Sequence, residues 1–359
     1  MFKIICFLLL SFNLFFFVDN SKAKLQNNKN KGFISKTRGD DCIRIAFYNV
    51  ENLFDVYDDT LKNDDAFTPE GKRAWTKKRF YKKINNLYKT IAGIGEWTPP
   101  EIIGLCEVEN RAVLTQLIKY TPLKKYNYKI IHFESPDVRG IDVALLYRSD
   151  KVNPVFLKNI QVNFDFDSTL KTRDILYVKA LLFDIDTVHF FVNHWPSRYS
   201  GYNATVPKRK AAALVLRDKV DSLFALNAKA NIIIMGDFND EPERESLSVV
   251  LKAKTDTLGI NSSDLVNLMY QYQNNSYIGT IKRENSWSVF DQFICSGALF
   301  KGQNGLSVRN SQANIFTEKF LFLDDDKYFG KKLFRTYLGF KYLGGYSDHL
   351  PIFLDLINN

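Results

Sequence analysis

The stretch Ile232-Ile233-Ile234-Met235-Gly236-Asp237-Phe238-Asn239 sets the reading of the whole chain. Four apolar residues in a row stop at a glycine and then at groups that bind cations or phosphate. A short apolar run bounded by turn residues reads as a buried strand, here one that ends at Asp237. Upstream, a long helix is expected from Pro207, a favoured first-turn residue, to about residue 225. Downstream, a helix is expected near 243–252 and strands at 288–295 and 351–355.

The rest of the chain alternates in the same way. A strand is expected at 43–50, then an acidic loop at 55–70. Phe80, Ile84, Leu87, Ile91 and Ile94 recur three or four apart, so 77–94 reads as an amphipathic helix that Pro99-Pro100 closes off. A short strand at 102–106 delivers Glu107, and a helix follows at 111–120. Further strands fall at 128–133, 143–148, 176–184 and 188–193. Strands with intervening helices indicate an α/β fold with large sheets. No internal repeat or mid-chain linker appears, so one domain over 43–359 is expected.

The chain has 359 residues and a formal net charge of +9, with 45% hydrophobic and 25% charged residues. Those values exclude a disordered chain. The basic balance favours anionic partners such as nucleic acid or phospholipid headgroups. Residues 1–23 open with Lys3, continue through an apolar run and end near Ser21-Lys22-Ala23, which reads as a secretory signal peptide. A flexible polar leader over 24–42 is expected after it, with export to the periplasm or medium. Cys6 falls in the signal. Cys42, Cys106 and Cys295 are odd in number, and no disulfide framework is expected.

Polar residues recur at the strand ends: Asn49, Glu107, Asn193-His194, Asp237, Asn239, Asp291 and Asp348-His349. Any one of them is an ordinary strand terminator. Together they are a crowd of carboxylates, and such crowds need a compensating cation. Carboxylates and amides without cysteine suit a hard ion, Mg²⁺ or Mn²⁺, over Zn²⁺. His194 and His349 stand beside them, where a general acid or base would act. Asp55, Asp58, Asp59, Asp64 and Asp65 read as a solvated acidic loop, with Ca²⁺ binding as the alternative.

These motifs resemble those of the endonuclease/exonuclease/phosphatase superfamily. Gly236-Asp237-Phe238-Asn239 and Ser347-Asp348-His349-Leu350-Pro351 look like its two best-marked signatures. Tyr48-Asn49-Val50, Gly104-Leu105-Cys106-Glu107-Val108, Arg139 to Leu146, Asn193 to Arg198 and Trp287 to Asp291 match the others, in the family's order. The resemblance implies a four-layer α/β/β/α sandwich, as in deoxyribonuclease I. It implies that Glu107 and Asp348 hold the metal, with Asn49 nearby. Asp237 and Asn239 would position the attacking water or the phosphate. His349, oriented by Asp291, would be base or phosphate ligand, and His194 would act on the scissile phosphate or leaving group. His194 needs its own carboxylate; Asp142 is the first choice and Asp174 the alternative. Arg139, Arg173 and Arg198 are candidate phosphate contacts, because guanidinium forks match phosphate oxygens. Trp287 is placed in the binding cleft.

The expected activity is that of a secreted, Mg²⁺-dependent phosphodiesterase, first an endonuclease on DNA, with RNA also open. It would work as a monomer without a stable protein partner. The alternative is a phospholipid-headgroup or inositol-phosphate phosphodiesterase or phosphatase. Residues 316–323 alone hint at the exposed aromatic hairpin that a lipid enzyme would need. A non-catalytic binding protein on the same scaffold is a remote third reading.

Overall fold

A computed structural model describes residues 38–359 apart from Trp97, Asn274 and Phe329. The expected signal peptide and most of the expected leader lie outside the described residues. The leader's last residues are structured: Arg38 donates to the Thr98 and Pro99 carbonyls, and Cys42 begins the first strand.

Two large sheets carry the fold. The first contains β1 (Cys42–Leu53), β2 (Ile102–Val108), β3 (Tyr128–His132), β4 (Asp142–Arg148) and the strands Leu306–Val308, Asn314–Ile315 and Ile352–Asn358. The second contains β5 (Val152–Ile160), β6 (Ile175–Leu182), β7 (Asp186–His194), β8 (Asn231–Asp237) and the strands Asp291–Ser296, Leu265–Asn267 and Ala253–Lys254. Helices α1 (Lys77–Gly95) and α2 (Arg111–Lys119) belong with the first sheet, and α3 (Tyr202–Leu226) with the second. This is the expected four-layer sandwich.

The strand 232–235 shows how the layers form. Successive side chains of a strand point to opposite faces. Ile233 and Met235 join the core that lies between the sheets, while Ile232 and Ile234 join a second core under α3 with Leu216 and Val220. All four are fully buried, each worth roughly 1.5–3 kcal/mol. Gly104 lets the sheets approach, because a Cβ there would lie 2.8 Å from Met235 Sδ. Cys42, Cys106 and Cys295 are buried free thiols.

Topology explains why the polar residues converge. β1 and β2 run parallel, as do β7 and β8, so Asn49, Glu107, His194 and Asp237 arrive at strand ends. Ile352–Asn358 runs antiparallel to β1 and Asp291–Ser296 antiparallel to β8, so their starting ends, with His349 and Asp291, reach the same edges.

Three local expectations need correction. α3 begins at Tyr202, and Pro207 sits in its second turn, where it forfeits one main-chain bond, rather than in the first. Residues 243–252 hold only a five-residue π-helical turn, Ser246–Val250. The expected strand 288–295 is two pieces: Ser286–Ser288 belongs to a separate hairpin, and Asp291–Ser296 enters the second sheet. Strand β5 had no apolar alternation to betray it; it is a sheet edge, where Pro154 is tolerated. The segment 316–323 is not an exposed hairpin, since Phe316 and Leu321 are buried. Among the described residues no helix is long and apolar enough to cross a membrane.

Candidate active site

Asp237 is the hub. It is 2% exposed at the end of β8. Its Oδ1 accepts the Asn239 N–H at 2.9 Å, and its Oδ2 accepts Asn49 Nδ2 at 3.0 Å from the other sheet. Asn239 has a left-handed backbone, φ 52°, and donates Nδ2 to the Trp195 carbonyl at 3.1 Å. Gly236 is required just before Asp237, because a Cβ would lie 2.5 Å from the Asn193 carbonyl oxygen.

Two imidazoles flank this carboxylate. His194 Nε2 and His349 Nε2 each lie 3.8 Å from Asp237 Oδ2. His349 Nδ1 is 2.6 Å from Asp291 Oδ2, so the expected Asp291–His349 pair is formed. Its backbone N–H donates to Ser347 Oγ at 3.1 Å, and Ser347 Oγ donates to the Asn49 carbonyl at 2.7 Å. Burial disfavours the imidazolium of His349, but the charges of Asp291 and Asp237 outweigh it and hold the pKa well above the ordinary value. His194 is the reverse. Burial and the charges of Arg173, Arg139 and His349 depress it well below the ordinary value. Asp237 is pushed up to about 6 by burial and by Asp291, against the opposing charge of His349.

Neither of the expected carboxylates pairs with His194. Asp142 instead meets His132 Nε2 at 3.2 Å and accepts the Ser135 N–H at 2.9 Å. Asp174 accepts from Asn159 Nδ2 at 2.6 Å. His194 Nδ1 is buried without a hydrogen-bond partner, and its Nε2 looks toward Glu107 Oε1 at 3.9 Å as well as Asp237.

A second corner is built by bulges. β1 and β2 fall out of register between Asn49 and Leu53, and β2 and β4 between Cys106 and Val108. Glu51, Asn52 and Glu107 take positive φ there, 51°, 54° and 61°. Such bulges re-aim side chains beside active sites, and the backbone cost is about 1–3 kcal/mol per residue. Glu107 Oε2 accepts the Asn52 N–H at 2.9 Å. Glu51 was not foreseen. It is 3% exposed, accepts the Thr336 N–H at 2.6 Å, and shares Arg335 with Asp348: Nε to Glu51 at 3.1 Å and Nη2 to Asp348 at 2.7 Å. The only sequence signal was an acid two residues after Asn49 in an apolar strand. Burial raises the Asp348 carboxyl but Arg335, His349 and Lys83 bring it below its usual range, whereas burial and the Asp348 charge raise Glu51.

The arginines divide. Arg139 is exposed at the rim, 41% at the side chain, beside Asp137. Arg173 is buried and turned inward: Nη1 donates to Asp137 at 2.9 Å, Nε to the His194 carbonyl at 3.2 Å and Nη2 to the Trp195 carbonyl at 2.7 Å. Arg198 donates to the Asn239 carbonyl at 2.7 Å, to Asp240 at 2.7 Å and to Glu241 at 2.6 Å. Both therefore brace the loops that carry His194 and Asn239, in place of the open phosphate forks expected of them. Asp240, also unforeseen, is the internal anion of that brace, with Arg209 Nε at 2.8 Å. Trp287 is half-buried and lines a cleft of about 680 Å³ with Tyr272, Arg244 and Glu241. A second cleft, about 550 Å³, is lined by Arg139, Lys171, Arg173 and Lys208 with Tyr199.

The arrangement can hold a proton on one imidazole, deny it to the other, and concentrate oxygen donors between them. Asp237, Asp291 and His349 place one donor atom each within 4.8 Å of one another. The neighbouring donors, Glu107, Asp348, Glu51 and Asn49, are all oxygen-bearing, which suits a hard divalent ion. Arg335 already answers two of these carboxylates with positive charge.

A model of the endonuclease/exonuclease/phosphatase family matches residues 44–358. Three solved structures illustrate the likeness. The human Nocturnin catalytic domain with bound sulfate is 19% identical, with a TM-score of 0.53, over 89% of this chain and 95% of that one. A mannosyl-6-phosphatase of Bacteroides thetaiotaomicron VPI-5482 is 18% identical, with a TM-score of 0.55, over 88% and 99%. D. rerio TDP2 complexed with a single-strand DNA product is 15% identical, with a TM-score of 0.52, over 88% and 98%. At these identities the likeness establishes the fold. No curated protein sequence matches the chain.

Proposed function

Because the chain belongs to the endonuclease/exonuclease/phosphatase family, and so is a hydrolase of phosphoric esters, we propose that it is an exported, metal-dependent phosphodiesterase acting on nucleic acid, on DNA first and RNA second. The observation that carries the choice of substrate is the basic cleft of Arg139, Lys171 and Lys208 beside the segment that follows His194. Phosphate contacts dominate non-specific affinity for nucleic acid, and a groove with several cations supplies them. The net charge of +9 acts in the same direction. The burial of Phe316 and Leu321 removes the hairpin that the lipid reading expected at 316–323.

In this reading Glu107 and Asp348 hold Mg²⁺ or Mn²⁺, with Asn49 and Glu51 alongside. The ion, when bound, polarises a phosphoryl oxygen and lowers the pKa of water. The chain's own groups do the rest. Asp237, pushed up to about 6, is matched to taking a proton from water near neutral pH. His349, kept charged by Asp291, faces the centre with Nε2 and stabilises negative charge on the phosphoryl group. His194 stays neutral and offers a hydrogen bond without adding charge. Asn239 and Asn49 fix the carboxylate of Asp237 from either side.

Purified protein should nick supercoiled plasmid with Mg²⁺ or Mn²⁺, and EDTA should stop it. Intact plasmid with every cation tried, alongside phosphate release from mannose 6-phosphate or another sugar phosphate, would overturn the nuclease reading while keeping the hydrolase. The export component is tested by finding the protein, shortened at its N-terminus, outside the cytoplasm of the cells that make it.

A further inference from the structure

The acidic loop after β1 encloses a small cavity, separate from the catalytic cluster. It has a volume of about 200 Å³, and its walls carry Asp55, Asp58, Asp59, Asp64, Glu109 and Glu134. Two cationic residues also line it, but both are directed elsewhere. Lys62 Nζ donates to the Ser135 and Asp137 carbonyls, each at 3.2 Å, and Arg139 leans to Asp137 at 3.8 Å.

Asp64 supplies the second observation. It is 2% exposed, its Oδ2 accepts the Asp59 N–H at 3.2 Å, and its Oδ1 is buried with no hydrogen-bond partner. A buried carboxylate oxygen left unpaired costs heavily, and native proteins satisfy such groups with hydrogen bonds, water or ions. Glu109 stands across the cavity, 8% exposed, with Oε2 accepting the Asp55 N–H at 2.5 Å. Burial and the charges of Asp58 and Asp59 raise the Asp64 carboxyl. The carboxylates are crowded beyond what the chain neutralises.

We propose that this cavity is a calcium site, in which Asp64 and Glu109 are the buried ligands and the carboxylates of Asp55, Asp58 and Asp59 complete an oxygen shell. Calcium takes about six to eight oxygens in irregular geometry, which a loop can offer; magnesium requires a near-octahedral set and keeps more of its water. The ion would tie residues 55–64 to Glu109, two positions beyond Glu107. It thereby stiffens the bulge that aims Glu107 at the reaction centre. The solvated-loop reading of this segment accounts for Asp58 and Asp65, which are exposed, but not for Asp64.

The test is a thermal melt of the purified protein in saturating Mg²⁺, with and without millimolar CaCl₂, together with calorimetric titration of CaCl₂. Calcium should bind and raise Tm by about 2–4 °C per tenfold excess over Kd. Asp64→Asn and Glu109→Gln should each lose that rise, while Asp348→Asn, altered only at the catalytic centre, should keep it. Without calcium, Asp64→Asn should melt no lower than the parent, because it removes an uncompensated charge; this separates a lost site from a failed fold. If either variant fails to fold, the calorimetry on the parent protein and on Asp348→Asn decides. No calcium binding in saturating Mg²⁺, a rise that survives in Asp64→Asn, or a rise lost only in Asp348→Asn would overturn the proposal.

Discussion

His194 and His349 stand at equal distance, 3.8 Å, from one carboxylate oxygen of Asp237, yet their ionisation is opposite. Both are buried, so burial alone does not separate them. What separates them is the ring nitrogen on the far side. His349 Nδ1 has Asp291, which repays its desolvation, whereas His194 Nδ1 has no partner and the charges of Arg173 and Arg139 act against protonation of the ring. When two titratable groups in one site are driven apart in this way, the acid and base roles divide between them. The second neighbour of an imidazole, rather than its distance from the reacting centre, sets which role it takes.

The most damaging way to break this contrast is to remove the far-side carboxylate. Asp291→Asn keeps the shape and withdraws the charge that holds His349 protonated. Hydrolysis should fall by about 10²–10⁴-fold, and the loss should deepen as pH rises, since His349 then titrates nearer its ordinary range. A variant with the parent's rate and pH profile would show that Asp291 is merely structural.

Asp237→Asn sharpens the contrast from the centre, with a smaller effect on stability than on rate. A carboxyl whose pKa is raised on folding, here to about 6, contributes stability that is fully present below its unfolded value near 3.8 and is lost as pH rises through about 6. At about pH 8 the metal-free parent therefore carries that penalty in full, and the amide does not. The variant should melt a few degrees higher than the metal-free parent there, while losing activity. A lower melting temperature would mean that Asp237 serves the fold through its bonds to Asn49 and Asn239 more than it strains it.

Much of this centre was legible in the sequence, because strand ends are local features and topology then gathers them. Asn49, Glu107, His194, Asp237, Asn239, Asp291 and His349 come together where the ordered motifs placed them. The failures have physical causes. Glu51 was hidden because a bulge cannot be read from alternation, and β1 was expected to stop at Val50. Asp142 was assigned to the wrong histidine because pairing across strands depends on register: His132 is opposite Ala144 on the adjoining strand, close enough to take it. Arg173 and Arg198 were read as phosphate ligands because a guanidinium suits a carbonyl, a carboxylate and a phosphate alike; only burial distinguishes them.

The contrast between the two histidines is tested most directly by ring-nitrogen NMR of the metal-free protein labelled at histidine. The chain has only four histidines, so each signal is assignable by substitution. His349 should remain doubly protonated through neutral pH, with His194 singly protonated and neutral at the same pH. A His349 that titrates at or below the ordinary value of about 6.5, or a His194 that is charged at neutral pH, would contradict the division of roles around Asp237.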